Sequence, residues 1–375
     1  MGAAGAAVGD RVSLEAHLRE AVWPRRSLRG RVESLALRPL SAAFGVGVAL
    51  RGAGYRLGLL RTRKAPVPVV SIGNLAVGGT GKTPVTLWVA EGLRARGARP
   101  AIVSRGYGGS AQGATVVSRG NGPEVGPQVG GDEPVMLAKS FGGAVIVSPR
   151  RLDGATAAAA LGCDVVVLDD GFQHRAIARD FDLLLLDGRR GALLPAGPFR
   201  EPPAAAARAH AVLLMGRDEH DAVDAPSDLH LAVYRAHLEA AAVVESVAGV
   251  WHTHSMGRLA GRRVIAVTGI ARPEPFYALL QRWDATIEEV FEYPDHHRYT
   301  AEQWQRIGRR GHDVDLIVTT EKDLVKLEAF PFATGKLVAL RIAPRVEHGA
   351  ALLDDIAARV GLSTRPAKET PHGDQ

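Results

Sequence analysis

Cysteine is almost missing from this chain of 375 residues: Cys163 stands alone, so no intrachain disulfide can form and a thiolate metal cluster is excluded. Both absences fit a reducing compartment. Aromatic residues make up only 5%, beside abundant alanine, glycine and arginine, a bias that speaks of coding composition more than of function. Long apolar runs are missing too. The uncharged stretch "PLSAAFGVGVAL" (39–50) is far shorter than the about 20 apolar residues that a bilayer span needs. The opening "MGAAGAAVGD" has no basic start and no apolar core of a secretory signal, and Ala6 occupies the position where N-myristoylation wants Ser or Thr. Residues 1–24 and the tail 363–375 read as loose extensions.

Acid is missing where base is concentrated. Between Arg25 and Lys64 the chain carries Arg25, Arg26, Arg29, Arg31, Arg38, Arg51, Arg56, Arg61, Arg63 and Lys64, against Glu33 alone. Such a stretch calls for an anionic partner: lipid headgroups, nucleic acid or a phosphorylated substrate. Residues 25–64 can be an interfacial amphipathic segment, with apolar residues in lipid and arginines at the headgroups, or a helix packed on its own protein with solvated arginines. The remaining composition, 46% hydrophobic and 23% charged, is that of a soluble globular chain long enough for two cores.

Strand-like runs alternate with helix-compatible stretches: "VPVVSI" (67–72), "PAIVSR" (100–105), "AVIVSP" (144–149), "DVVVLDD" (164–170), "FDLLLLD" (181–187) and "AVLLMG" (211–216). Continuous branched runs of this kind suit strands buried on both faces, and alternation with helices implies a parallel, doubly wound sheet. The pattern resumes with "RVIAVTGI" (263–270), "DLIVTTEKD" (315–323) and "KLVALRI" (336–342). The expectation is therefore a phosphate-loop NTPase core over 65–244 and a smaller α/β domain over 245–362, with "ESVAGVWH" (245–252) as an extended connection. No internal repeat is visible.

The first strand leads into "VGGTGKTP" (77–84), a glycine-rich turn that opens a helix with Lys-Thr. Gly78, Gly79 and Gly81 allow backbone N–H groups of the loop, Thr80 included, to converge on phosphate oxygens. Lys82 reaches the β- and γ-phosphates, the Thr83 hydroxyl ligates Mg²⁺, and Pro84 falls where a helical N–H lacks a partner anyway. The pattern G-x-x-x-x-G-K-[ST] would have glycine at 76, where this chain has Ala76. Asp169 and Asp170, at the end of the run "VVVLDD", are the acids expected to hold magnesium. A nucleoside triphosphate with Mg²⁺ is thereby expected, without an acceptor.

The ordered series "SIGNLAVGGTGKTP", "SRGYGG" (104–109), "GGDEP" (130–134), "LDDGFQHR" (168–175), "LLPAGPFREP" (193–202), "DHHRY" (295–299) and "TTEKD" (319–323) resembles the tetraacyldisaccharide 4'-kinases, the lipid A 4'-kinases of Gram-negative bacteria, over roughly residues 30–360. That family also lacks glycine at the position of Ala76. The resemblance implies ATP-dependent phosphorylation of the 4'-hydroxyl of a tetraacylated glucosamine disaccharide 1-phosphate. It implies an enzyme at the cytoplasmic face of the inner membrane, with an anionic lipid surface and a lipid A precursor as partners; no nucleic acid and no obligate protein partner are expected. It makes Asp132 the base, Glu133 a further acid near the magnesium, and His296 the partner of Asp132. Read from the residues alone, Asp132 is equally a helix N-cap before Pro134, and His297 competes with His296. Arg105, Tyr107, Arg151, Gln173 and His174 are the acceptor-side candidates, with Arg150 as the rival of Arg151. Glu321, Lys322 and Asp323 shape the nucleotide side or bridge the domains; nothing in the sequence chooses.

Two other readings compete. A partitioning or maturation ATPase of the deviant phosphate-loop type carries a lysine just before the first glycine of G-G-x-G-K-T, where this chain has Val77. A nucleic-acid-binding module built on the basic stretch lacks a base-reading motif and leaves the phosphate loop unexplained.

Overall fold

Branched apolar residues, continuous rather than alternating, build strands that are covered on both sides. The computed structural model describes residues 18, 23, 28–221, 223–225, 230–330 and 335–362; the expected extension over 1–24 lies almost wholly outside these, as do Arg25, Arg26 and the tail 363–375. In chain order the strands are β1 (Val69–Asn74), β2 (Pro100–Ser104), β3 (Thr115–Arg119), β4 (Ala144–Val147), β5 (Val165–Asp169), β6 (Phe181–Leu186) and β7 (Ala211–Gly216). They are followed by β8 (Ala232–Val247), β9 (Val250–His254), β10 (Arg263–Thr268), β11 (Thr286–Glu292), β12 (Leu316–Thr320) and β13 (Leu337–Val346). All belong to one sheet among the described residues, in the order β11-β10-β12-β13-β8-β7-β6-β1-β5-β2-β4-β3, with β9 paired to β8. β1, β2, β4 and β5 are buried along their whole length and pair in parallel, the signature of helices on both faces. The fold is thus an α/β phosphate-loop core with a mostly parallel sheet.

The second half departs from the expected layout in three places. The expected boundary at 244/245 falls inside β8. This long strand runs parallel to β7 over Ala232–His237 and antiparallel to β13 over Ala236–Glu245, so one sheet continues through both halves. The segment 245–252, expected as an extended connection, is instead the β8–β9 hairpin. Ala248 and Gly249 turn it with φ of 52° and 79°, the paired positive values that let a two-residue turn follow strand twist. Finally, the strand expected over 315–323 stops at Thr320. The Thr320 hydroxyl accepts from the Asp323 backbone N–H at 3.2 Å and caps the helix Glu321–Leu327. β3 and β11 were not foreseen: both lie at the ends of the sheet, where few apolar residues are needed.

Two helices, Leu28–Ala36 and Arg38–Arg56, precede the sheet and meet at a bend of 49° beside Pro39. One side of this pair is pinned to the loop before "PFRE". The Ser34 hydroxyl donates to the Ala196 carbonyl and the Ser41 hydroxyl to the Leu193 carbonyl, both at 2.9 Å. The other side exposes Leu40, Val46 and Leu50, and the turn that follows exposes Leu57 and Leu59. The packed reading thus describes one face of these helices, and the other is the apolar face that the interfacial reading requires. Among the described residues no single helix is long and apolar enough to cross a membrane.

Candidate active site

The phosphate loop follows β1 because glycine alone tolerates its turns. Gly78 and Gly81 take φ of 111° and 80°, and Gly81 is the N-cap of the helix Lys82–Ala95. Met215 and Leu238 press so closely on Gly81 that an added Cβ would lie 3.2 Å from Leu238. Ala76 needs no such freedom. It is buried, bridges antiparallel to Phe199 and has no positive φ; Val77, next to it, donates to the Pro198 carbonyl at 2.8 Å and accepts from Arg189 at 2.9 Å. The loop is thus braced from outside by the "PFRE" segment. Inside it, the Thr80 hydroxyl accepts from Asn74 Nδ2 at 2.8 Å.

Lys82 Nζ lies 3.7 Å from Asp170 Oδ1. The Thr83 hydroxyl reaches Asp169 Oδ2 at 3.4 Å and Thr86 reaches Asp169 Oδ1 at 3.1 Å, so the loop helix and the end of β5 face one another as the sequence proposes. Burial, then the nearby Glu133 and Asp170 carboxylates, pushes Asp169 up to about 7. Burial also works to raise Asp170, but Lys82 and Arg200 outweigh it and hold that carboxyl below its ordinary range. Asp170 sits at φ 52°, a left-handed conformation costly for a residue other than glycine, and Arg200 clasps its Oδ2 at 2.9 Å. Among the described residues no three acidic, histidine or cysteine side chains could hold a metal alone. Mg²⁺ usually takes one or two carboxylates and completes its shell with water and phosphate, so a Thr83–Asp169 pair with Asp170 and Glu133 at hand suits it.

Asp132 opens the helix Asp132–Ser140, but its N-cap is Gly131 at φ 88°; Asp132 is the first helical residue and makes no side-chain capping bond, so the N-cap alternative does not hold. Its Oδ2 lies 3.5 Å from His296 Nδ1 and 3.6 Å from Lys326 Nζ. Burial would raise the Asp132 carboxyl; the hydrogen bond from His296, followed by the Lys326 charge, wins and lowers it. Of the two adjacent histidines, the chain turns His296 inward through φ 60°, with its ring centroid 5.2 Å from that of Tyr107. His297 instead meets Gln303 at 2.9 Å and stacks on Tyr293. Tyr107 is delivered by the turn Arg105–Gly109, which packs against Gly130 and Gly131.

Apart from Tyr107, the acceptor candidates collect around cations. Arg151 is buried, donates to the Ser148 carbonyl at 2.8 Å, and is pushed down to about 10 by burial against the pull of Asp169 and Asp170; Arg150 points to solvent. Arg105 is exposed and close enough to add to the positive field at Arg151. Gln173 donates to the Asn74 carbonyl at 2.8 Å, and its own backbone carbonyl accepts from Arg51 at 2.9 Å. Burial first, then Arg151, Arg51, Arg179 and Arg105, pushes His174 down to about 4. A groove of about 480 Å³ opens here between the helix Arg38–Arg56 and the core, lined by Phe44, Val48, Arg51, Gln173, Arg175 and Arg200. Sequence reasoning assigned nothing to Arg200 or Lys326, although Arg200 stood inside a quoted motif; Arg51 was read only as part of the basic stretch, and Lys322 only as part of a motif that shapes the nucleotide side or bridges the domains.

The tetraacyldisaccharide-1-P 4'-kinase family model matches residues 33–360. A tetraacyldisaccharide 4'-kinase of Anaeromyxobacter sp. (strain Fw109-5) is 43% identical over 92% of this chain and 98% of its own length. One from Syntrophus aciditrophicus is 38% identical over 78% of this chain and 84% of its own. The crystal structure of LpxK from Aquifex aeolicus in complex with ATP superposes with a TM-score of 0.73 at 30% identity, covering 87% of this chain and 99% of that one. The braced phosphate loop, the acids that face it and the aspartate–histidine pair beside them are thus carried by a chain that belongs to the tetraacyldisaccharide-1-P 4'-kinase family.

Proposed function

We propose that the chain transfers the γ-phosphate of ATP to the 4'-hydroxyl of a tetraacylated glucosamine disaccharide 1-phosphate, giving the bisphosphorylated lipid A precursor. The observation that carries this reading is the meeting of Asp132 and His296 beside the Lys82–Asp170 and Thr83–Asp169 contacts. Phosphoryl transfer asks of a protein mainly positioning and charge neutralisation. Backbone N–H groups of 78–83 and Lys82 hold the β- and γ-phosphates. Thr83, Asp169, Asp170 and Glu133 would hold Mg²⁺, which supplies neutralisation of the phosphate charge. Asp132 accepts the proton of the attacking hydroxyl, and His296 holds that carboxylate in place. Arg105, Tyr107, Arg151, Gln173 and His174 bind the acceptor, whose anionic head is drawn by the arginines around His174 while acyl chain follows the Phe44–Val48 side of the groove.

The exposed leucines of the two N-terminal helices and the arginines along the segment support a peripheral station on the anionic cytoplasmic face of the inner membrane. No observation favours a switch ATPase or nucleic-acid binding. The test is to incubate the purified chain with labelled ATP, Mg²⁺ and the disaccharide monophosphate. A bisphosphorylated lipid is expected; ATP hydrolysis without a lipid product would overturn the reading.

A further inference from the structure

The motif "TTEKD" has no part in the chemistry described so far. Once Thr320 caps the helix Glu321–Leu327, its three following side chains diverge. Glu321 accepts from Arg341 Nε at 2.7 Å. Asp323 is wholly buried, accepting from the Gly269 backbone N–H and the Thr320 hydroxyl, each at 2.8 Å. Lys322 alone turns toward the site. Its ammonium meets Asp295 Oδ1 at 2.8 Å and His296 Nε2 at 3.2 Å, with Glu133 Oε1 at 3.8 Å, and its side chain is only 14% exposed.

An ammonium has three donors and no acceptor. The Lys322–His296 hydrogen bond therefore requires Nε2 to be bare and leaves the ring proton on Nδ1, the nitrogen that faces Asp132 Oδ2 at 3.5 Å. The opposite arrangement, Nε2–H donating to Asp295, is too long at 3.9 Å to be a hydrogen bond, and Lys322 already holds that carboxylate oxygen. It would also turn a bare Nδ1 lone pair toward the Asp132 carboxylate, where two acceptors repel. The backbone at φ 60° and the Tyr107 ring fix where the imidazole stands, but neither distinguishes its two nitrogens.

We propose that Lys322 is a positioning residue that sets the tautomer of His296, so that the ring presents an N–H to Asp132. The proposal rests on the reading of Asp132 and His296 as a working pair. It makes the second lobe supply the histidine and the cation that orients it as one unit. Lys322 touches no reacting atom in this account; it acts through the ring.

The test is imidazole nitrogen NMR on the full chain, with the His296 signals assigned by their loss in His296→Ala, together with steady-state kinetics. In the native chain the ring proton is expected on Nδ1 alone, and in Lys322→Met a measurable share of it moves to Nε2, where Asp295 is then free to accept. The same variant should lose roughly 10–100-fold in kcat, as orienting partners commonly do, at unchanged KM for ATP. In a His296→Ala background it should cost nothing further. Lys322→Gln, which keeps a donor and gains an acceptor, is the second variant and should show both tautomers. An Nδ1–H ring that survives both substitutions overturns the proposal, as does a loss of the same size in the His296→Ala background. Near-native activity of His296→Ala would instead defeat the pairing itself, while the NMR signature still reports whether Lys322 sets the ring.

Discussion

Lys82 and His174 stand in opposite electrostatic surroundings, one facing a carboxylate and the other ringed by arginines. Lys82 is the cation opposite Asp170 and is only 13% exposed, so nothing else in the loop can stand in for it. Lys82→Ala should lower kcat by about 10²–10³-fold, the usual cost of removing one transition-state donor, with the circular dichroism spectrum unchanged. Retention of more than a small part of the native rate would remove the phosphate-loop assignment. His174 is held at about 4 in the folded chain against 6.5 ordinarily, first by burial and then by the arginines around it. Between those two values the unfolded chain binds the proton and the folded chain does not, so stability falls as pH drops through that window. His174→Asn should flatten this part of the stability profile, as read by thermal melts on either side of the window. Identical slopes in the two proteins would mean that another group governs acid sensitivity.

At the scale of the element, the helix Arg38–Arg56 divides its work between two faces. Small and polar residues bring it against the core: Ser41 bonds to Leu193, and a Cβ on Gly45 would meet the Leu193 side chain at 3.0 Å. The outer face carries Leu40 and Leu50, exposed by 59% and 67%, an arrangement costly in water and favourable against acyl chains. Two variants separate the contributions. Leu40→Ser with Leu50→Ser should weaken binding to anionic vesicles at any salt concentration. Arg56→Gln, Arg61→Gln and Arg63→Gln together should weaken it mainly at low salt, by about 1 kcal/mol per charge. Neither should alter the KM for ATP. Unchanged vesicle partitioning in flotation assays would leave these residues as an ordinary solvated face.

Across the whole molecule, the helix Asp132–Ser140 is gripped at both ends by the second half of the chain. His296 and Lys326 hold its first residue. At its other end Lys139 pairs with Glu328 at 2.6 Å and donates to the Gly249 carbonyl at 2.8 Å; Glu328 also accepts from Ser246 and Trp251. Both charged side chains are nearly buried, and breaking such a pair by removing one partner leaves a stranded charge. Lys139→Met should therefore cost about 3 kcal/mol of stability and lower kcat by shifting Asp132, whereas adding Glu328→Gln should restore part of both. Thermal melts and kinetics on the single and double variants check this; a neutral single variant would mean that the helix is not held from this side. The division into two lobes that share β8 is our proposal.

The phosphate loop, the buried parallel strands and the acids at the end of β5 were legible in the sequence because each depends on neighbours a few residues away. Glycine torsions, a helix opening on Lys-Thr, and unbroken branched runs are local physics. The motifs "GGDEP" and "DHHRY" marked Asp132 and His296 but not their meeting, which brings the start of one helix against a loop more than 150 residues further along the chain. The hairpin at 245–252, the path of β8 through both halves, and the end of β12 at Thr320 were misread or unseen, since pairing partners and a capping hydroxyl decide them rather than hydropathy. Which of His296 and His297 faces the aspartate was settled by one backbone angle, and the partners of Lys322 and Arg200 by packing across the chain. Sequence by itself determined the chemistry available, through the residue types it supplied. Tertiary structure decided which of those groups lie within bonding distance, because hydrogen bonds and ion pairs fall off over a few ångströms and nothing along the chain encodes that proximity directly.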